Sequence, residues 1–283
     1  MPRPRHVGHA RAVLEPPLHG RGRDLGVLRG CVRCLLCALC VSACAPSRPS
    51  LPSGSGAPFP NFEAAYAEAV AECRSAHSVL AELGLSGRAG DDKLRGRINA
   101  GIAAPQDIRL EGVAFGRPIF ILAGRDGQAT LLLTREDRVV RNEPPAAIVE
   151  AITGVALTPA DLVAAVAGCG LGAGTPSNGR TFNEEWAAVD AGGGTTYLRR
   201  VEGRWRVGGA LRGELQLLYA DFVRGLPAGV HIRAGAIADI TLRVSQLEIN
   251  ASIDPKAFEV DVPRDAVPLT LDELRRAGPL GDK

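Results

Sequence analysis

The spacing of apolar positions changes twice along the chain. Between Phe62 and Leu83 neither Gly nor Pro intervenes, and Tyr66, Val70, Cys73, His77 and Leu80 recur at helical spacing. This pattern predicts one amphipathic helix over 62–83, with Asn61 as its cap and Gly84 and Gly87 as its stop. From about Lys93 the period becomes two, with Ile108, Leu110 and then Phe115 expected to point to one side. Strands over 118–123 and 129–133 flank Asp126-Gly127, a hairpin signal because glycine accepts positive φ, and a further strand covers 138–141. Pro144-Pro145 opens a short helix over 146–152, and Thr158-Pro159 opens a second over 162–167 with Thr158 as its cap. Strands resume over 180–190, 195–201, 204–209, 213–220, 229–235, 238–250 and 257–262. Thr270-x-x-Glu273 then forms a capping box for a last helix over 271–277. The expected fold is mainly β with α (α+β): an antiparallel half-open β-barrel with the short helices as a plug, since so many strands must curve to hide their edges.

The segment before this domain has a different design. Residues 34–43 form a short apolar run that follows Arg29 and Arg33 and ends in small residues. It has the layout of a signal peptide and is shorter than the roughly 20 residues a membrane-spanning helix needs. Val41-Ser42-Ala43-Cys44 looks like the lipobox of bacterial lipoproteins, which makes Cys44 the expected site of lipidation, with palmitate among the fitting acyl groups. Two or three chains there give a durable anchor, where one binds only marginally. The chain therefore divides into 1–44, signal peptide and lipobox; 45–60, a Pro/Ser/Gly tether; and 61–283, the folded domain. An iron–sulfur site is the rival reading, since Cys34-x2-Cys37-x2-Cys40-x3-Cys44 nearly has the ligand spacing of a bacterial ferredoxin. The apolar residues between these cysteines, and the lack of a second cysteine run, favour the leader.

Charge and composition narrow the chemistry. The net charge of +2 hides seven arginines against Glu15 and Asp24 within residues 1–44, so the remainder is weakly acidic. That balance excludes nucleic acid, which needs a basic face to displace counterions. Only His77 and His231 occur in the domain, and no Gly-x-Ser-x-Gly elbow is present. No enzyme, catalytic residue, metal site or cofactor is expected, and the two histidines are assigned structural roles. The glycines from Gly168 to Gly174 follow a helix instead of opening one, so they suit a flexible exit better than a phosphate cradle. Glu184-Glu185 and Asp272-Glu273 read as solvated charge, and Trp186 and Trp205 as packing residues. Cys73 and Cys169 are either a disulfide or two buried thiols.

The stretch from Ile148 to Leu162, ending at Gly168, resembles the inserted helix pair of the LolA/LolB-like group of outer-membrane lipoprotein carriers and receptors. Ile108 to Gly112, Phe115-Gly116 and the hairpin at 124–128 are similar to the strand order of that group, and the resemblance extends in segments over 62–168. It implies an apolar cavity under the helices that holds acyl chains. A counterpart to the receptor's exposed apolar loop residue is not found at Arg117-Pro118 or the neighbouring turns. The expectation is a monomeric lipoprotein held to the membrane through Cys44, facing the periplasm from the outer membrane, and binding lipid or lipoprotein acyl chains. Ala45-Pro46, with no Asp after Cys44, favours the outer membrane. The alternative is a structural or regulatory envelope lipoprotein of the same fold without carrier activity. No ligand-binding residue is assigned.

Overall fold

The computed structural model describes residues 50–172 and 174–277. The expectations placed on Cys34, Cys37, Cys40 and Cys44 fall outside the described residues. In chain order the elements are β1 (Ala57–Pro58), α1 (Phe62–Val70), β2 (Ser78–Ala89), β3 (Asp92–Ala103), β4 (Asp107–Ala114), β5 (Arg117–Arg125), β6 (Gln128–Leu133) and β7 (Arg138–Glu143). Then come α2 (Pro145–Thr153), α3 (Pro159–Ala167), β8 (Pro176–Thr181), β9 (Trp186–Ala191), β10 (Gly194–Val201), β11 (Arg204–Arg212), β12 (Leu215–Val223), β13 (Leu226–Ala234), β14 (Ala238–Ile249), β15 (Val267–Pro268) and α4 (Leu271–Ala277).

The strands form one mainly antiparallel sheet in the order β1-β8-β9-β10-β11-β12-β13-β14-β2-β3-β4-β5-β6-β7-β15. Only the short β15–β7 pair is parallel. β1 and β15 end the order without pairing with each other, so the sheet is unclosed. Two sequential meanders, β2–β7 and β8–β14, meet at a long β14–β2 seam running from Ala238↔Ala89 to Ile249↔Val79. Because β7 and β8 lie near opposite ends of the order, the chain between them must travel the width of the sheet, and α2 and α3 are that crossing. α3 packs on β2, β3 and β13, α2 on β6 and α4, and α1 on β8, β10 and β11. One apolar core unites all of these layers.

Several sequence expectations are met. The Asp126-Gly127 turn has both residues at positive φ, Thr158 and Asp161 form a reciprocal capping box on α3, and Thr270 and Glu273 do the same for α4. Others are overturned. The helix expected over 62–83 ends at Val70, and Ser78 onward is strand β2. Val79, Ala81, Leu83 and Leu85 also alternate with period two, and pairing on both sides, with β3 and β14, outweighs the local helical spacing. His77 is consequently exposed just before β2, not on a helical stripe. The strand expected over 180–190 is broken at 182–185, where Asn183 Oδ1 accepts the backbone N–H groups of Glu185 and Trp186. The strand expected over 257–262 is absent: Asp254 caps a 3-10 turn over Pro255–Phe258 instead. Within 50–60, Ala57 and Pro58 pair with Thr181 and Arg180, and the Leu51 side chain approaches Gly209.

Candidate functional site

Register explains where the molecule is hollow. Across the core-facing side, Ala81 pairs with Ala100, Ala100 with Leu110, Leu110 with Leu122, and Leu122 with Leu131. The next such row joins Leu83, Ile98, Gly112 and Phe120. Ala100 is small, so between the sheet and the helices a space remains beside it. The Phe120 ring leans over Gly112 so closely that any Cβ there would collide with it. The resulting cavity is about 110 Å³ and is roofed by Ile152 of α2 and Val166 of α3. Thr153 is the sole polar side chain in its wall, and its hydroxyl is spent on the Val149 carbonyl oxygen at 2.8 Å. The space can therefore take hydrocarbon and offers no group for acid–base or nucleophilic chemistry.

The two roof helices are held unequally. α3 is tied at both ends. Asp161 pairs with Arg212 at 2.9 Å, and the buried Tyr219 hydroxyl donates to the Ala165 carbonyl at 2.7 Å while accepting the Gly170 N–H at 2.9 Å. Burial acts to raise the Asp161 pKa, but the hydrogen bonds from Arg212 and Thr158 outweigh it and hold the carboxyl below its ordinary value. Burial pushes the Tyr219 phenol well above its ordinary range, so it stays a neutral donor. Cys73 and Cys169 are brought together as a disulfide with Cα atoms 5.5 Å apart, joining the turn after α1 to the exit of α3. The glycine-rich exit is thus pinned, not free: Gly168 caps α3 in the left-handed conformation and the Gly174 N–H reaches the Tyr66 hydroxyl at 3.1 Å. α2, by contrast, leans on apolar contacts and an exposed Arg275–Glu150 pair at 3.5 Å.

Beside the cavity the β4–β5 hairpin carries a residue that sequence reasoning misplaced. Phe115 was expected to point the same way as Ile108 and Leu110, yet it is 93% exposed at the hairpin tip while Ile108 is buried. Ala114 pairs with Arg117, leaving Phe115 and Gly116 as a two-residue loop with φ of 51° and 75°. This matches a type I′ turn, in which Asn or Gly is the usual first residue and a bulky aromatic is strained. Odd spacings separate Phe115 from Ile108 and Leu110, so strict alternation does not put it on their side, and the extra residue at the Gly112/Val113 register shift is Ile119 of β5. The residue-Gly pair at 115–116 was the available signal.

The remaining candidates do not converge. His77 Nδ1 lies 3.3 Å from the Ser75 carbonyl oxygen, whereas His231 Nε2 sits on the outward side of β13, 2.6 Å from Asp239. Asp272 and Glu273 are engaged, with Arg275 and with Thr270 respectively. Trp205 is buried beneath the Arg200 guanidinium, and Trp186 lies under Arg199. Among the described residues no group of three or more His, Cys, Asp or Glu is arranged to hold a metal ion, and no helix is long and apolar enough to cross a membrane.

No protein-family model and no curated protein matches the chain. Solved structures do. A LolA superfamily protein from Nitrosomonas europaea is 10% identical, with 69% of this chain and 94% of that one covered, at a TM-score of 0.43. A DUF1329 family protein from Desulfovibrio piger is 13% identical, covering 69% and 96%, at 0.42. The Mycobacterium tuberculosis lipoprotein LppX is 11% identical, covering 69% and 98%, at 0.32.

Proposed function

We propose that this chain is a lipid-binding lipoprotein of the cell envelope whose sheet and crossing helices work as a half-open barrel and its plug. The observation that carries this reading is the wholly apolar lining of the space under α2 and α3, apart from the satisfied Thr153. The anchor would be Cys44, the tether the residues that follow it, and the location the periplasmic side of the outer membrane, with the protein acting as a monomer. At about 110 Å³ the cavity is below the roughly 300 Å³ where ligand pockets begin, so an acyl chain must widen it. α2 is the element to yield, because α3 is fixed by Asp161–Arg212, by Tyr219 and by the disulfide at Cys169. Phe115 on its exposed hairpin supplies an apolar tip for contact with a bilayer during loading or delivery.

The same small volume favours one second reading, a regulatory or structural envelope lipoprotein that keeps the cavity closed. Native mass spectrometry after incubation with diacyl phospholipid vesicles separates the two. Carriage requires a retained lipid, and retention should fall sharply in Ala100→Leu, which fills the space between Ala81 and Leu110. Protein that stays lipid-free in every preparation overturns carriage and leaves the second reading.

A further inference from the structure

A gap in the sheet joins the cavity to the outside. β3 begins at Asp92, but its pairing with β4 starts only at Arg97, because β4 ends at Ala114. Residues 92–96 therefore have β2 on one side and no strand on the other, which leaves a notch between β3 and the Phe115 hairpin. It is an open depression of about 840 Å³ whose walls include Lys93, Arg95, Arg97 and Arg135, and neither Asp nor Glu. Leu85, Leu94, Ile98 and Phe120 line this depression and the interior cavity alike.

The alternation of β3 divides the notch by chemistry. Lys93, Arg95 and Arg97 are exposed on the outward side, while Leu94 and Ile98 face the core from the same strand. One lip is cationic, the inner wall is hydrocarbon, and Phe115 stands at the opposite lip. Arg97 also approaches Glu82 at 3.7 Å, too far and too exposed to hold it against a competing anion. On the neighbouring strands Arg88 pairs with Lys93 but also lies opposite Asp239, so the positive charge of the notch rests on the lip residues Lys93, Arg95 and Arg97 themselves.

We propose that this notch is the entry port and headgroup seat for an anionic acyl lipid: the phosphate of the headgroup lies on Lys93, Arg95 and Arg97, and a chain passes Leu94, Ile98 and Phe120 into the cavity. The proposal rests on the carrier reading above and adds the ligand's charge and its route. A neutral or zwitterionic lipid of the same chain length gains the apolar contacts and loses the charge match, so discrimination resides in the lip and capacity in the cavity.

Retention of dioleoyl-phosphatidylglycerol and dioleoyl-phosphatidylcholine by the full chain is the test, measured by native mass spectrometry and by displacement of a fluorescent acyl probe. Wild type should prefer the anionic lipid by about tenfold to a hundredfold at low salt, and added salt should erode the preference. The triple variant Lys93→Gln, Arg95→Gln, Arg97→Gln should lose the preference while holding phosphatidylcholine as before, and Arg95→Lys with Arg97→Lys should keep it. Equal retention of the two lipids by wild type, or an undiminished preference in the triple variant, overturns the port and leaves acyl carriage standing. Retention of neither lipid sinks the carrier reading itself and takes the port with it. Millimolar inorganic phosphate is the control for a bare anion site, and it overturns the proposal if phosphate binds as tightly as the lipid.

Discussion

Replacing Phe115 by Asn should make the protein more stable and a poorer membrane binder. A non-glycine residue held in the left-handed region costs about 1–2 kcal/mol, and Asn bears that conformation better than a bulky aromatic. Phe115 has φ of 51° and is followed by Gly116, so Asn-Gly there restores the preferred type I′ pair. The ring is 93% exposed, and since full burial of Phe is worth only about 1.5–3 kcal/mol, its removal forfeits a few tenths at most. The expected net gain is about 1 kcal/mol, read as a higher urea midpoint at unchanged slope. If the ring enters a bilayer, the same 1.5–3 kcal/mol of burial becomes roughly a tenfold to hundredfold loss of vesicle partitioning in the variant. Co-sedimentation with phospholipid vesicles measures it. A destabilised Phe115→Asn variant would show that the hairpin is not strained, and unchanged partitioning would show that the ring does not enter the membrane.

Three other outcomes are expected. Tyr219→Phe removes a buried hydroxyl that serves the Ala165 carbonyl and the Gly170 N–H, and should lower unfolding free energy by about 1–3 kcal/mol in denaturant titration. Asp161 has a folded pKa below its unfolded value of about 3.9, so its stabilising contribution is complete above that pH and is lost as pH falls through the folded value. Asp161→Asn should therefore be less stable than wild type at pH 7, with the gap narrowing below about pH 4 in thermal melts. Removing the disulfide by Cys73→Ala with Cys169→Ala opens a loop with sequence separation 96, which should cost about 2–5 kcal/mol, and reductant should then have no further effect on the variant.

Features legible in the sequence were those set by neighbours along the chain. Asp126-Gly127 marks its hairpin, Thr158 and Asp161 mark the start of α3, and Thr270 with Glu273 marks α4. Those set by distant partners were not. Residues 78–83 satisfy helical and strand periodicity together, and only the ladders to β3 and β14, the latter more than 150 positions away, decide between them. The cavity shares this origin, since Ala100 is unremarkable until register sets it beside Leu110 and Leu122 in the cavity wall. Phe115 escaped because it was grouped with Ile108 and Leu110 although odd spacings separate it from both and the chain turns at 115–116. Cys73 and Cys169 could be named as partners but not joined, because the broken helix between Val70 and Ser78 determines where Cys73 lies.

The β14–β2 seam also sets the timetable of folding. β2 precedes its partner strand 238–249 by more than 140 residues, so wherever the chain emerges from its N-terminal end one edge of β2 stays open until most of the domain has appeared. A chain rejoined end to end and cut within the α2–α3 crossing would list the long strands in spatial order, from β8 through β14 and on to β7. Such a permutant should reach its native sheet faster and aggregate less during refolding, at the cost of severing the roof over the cavity.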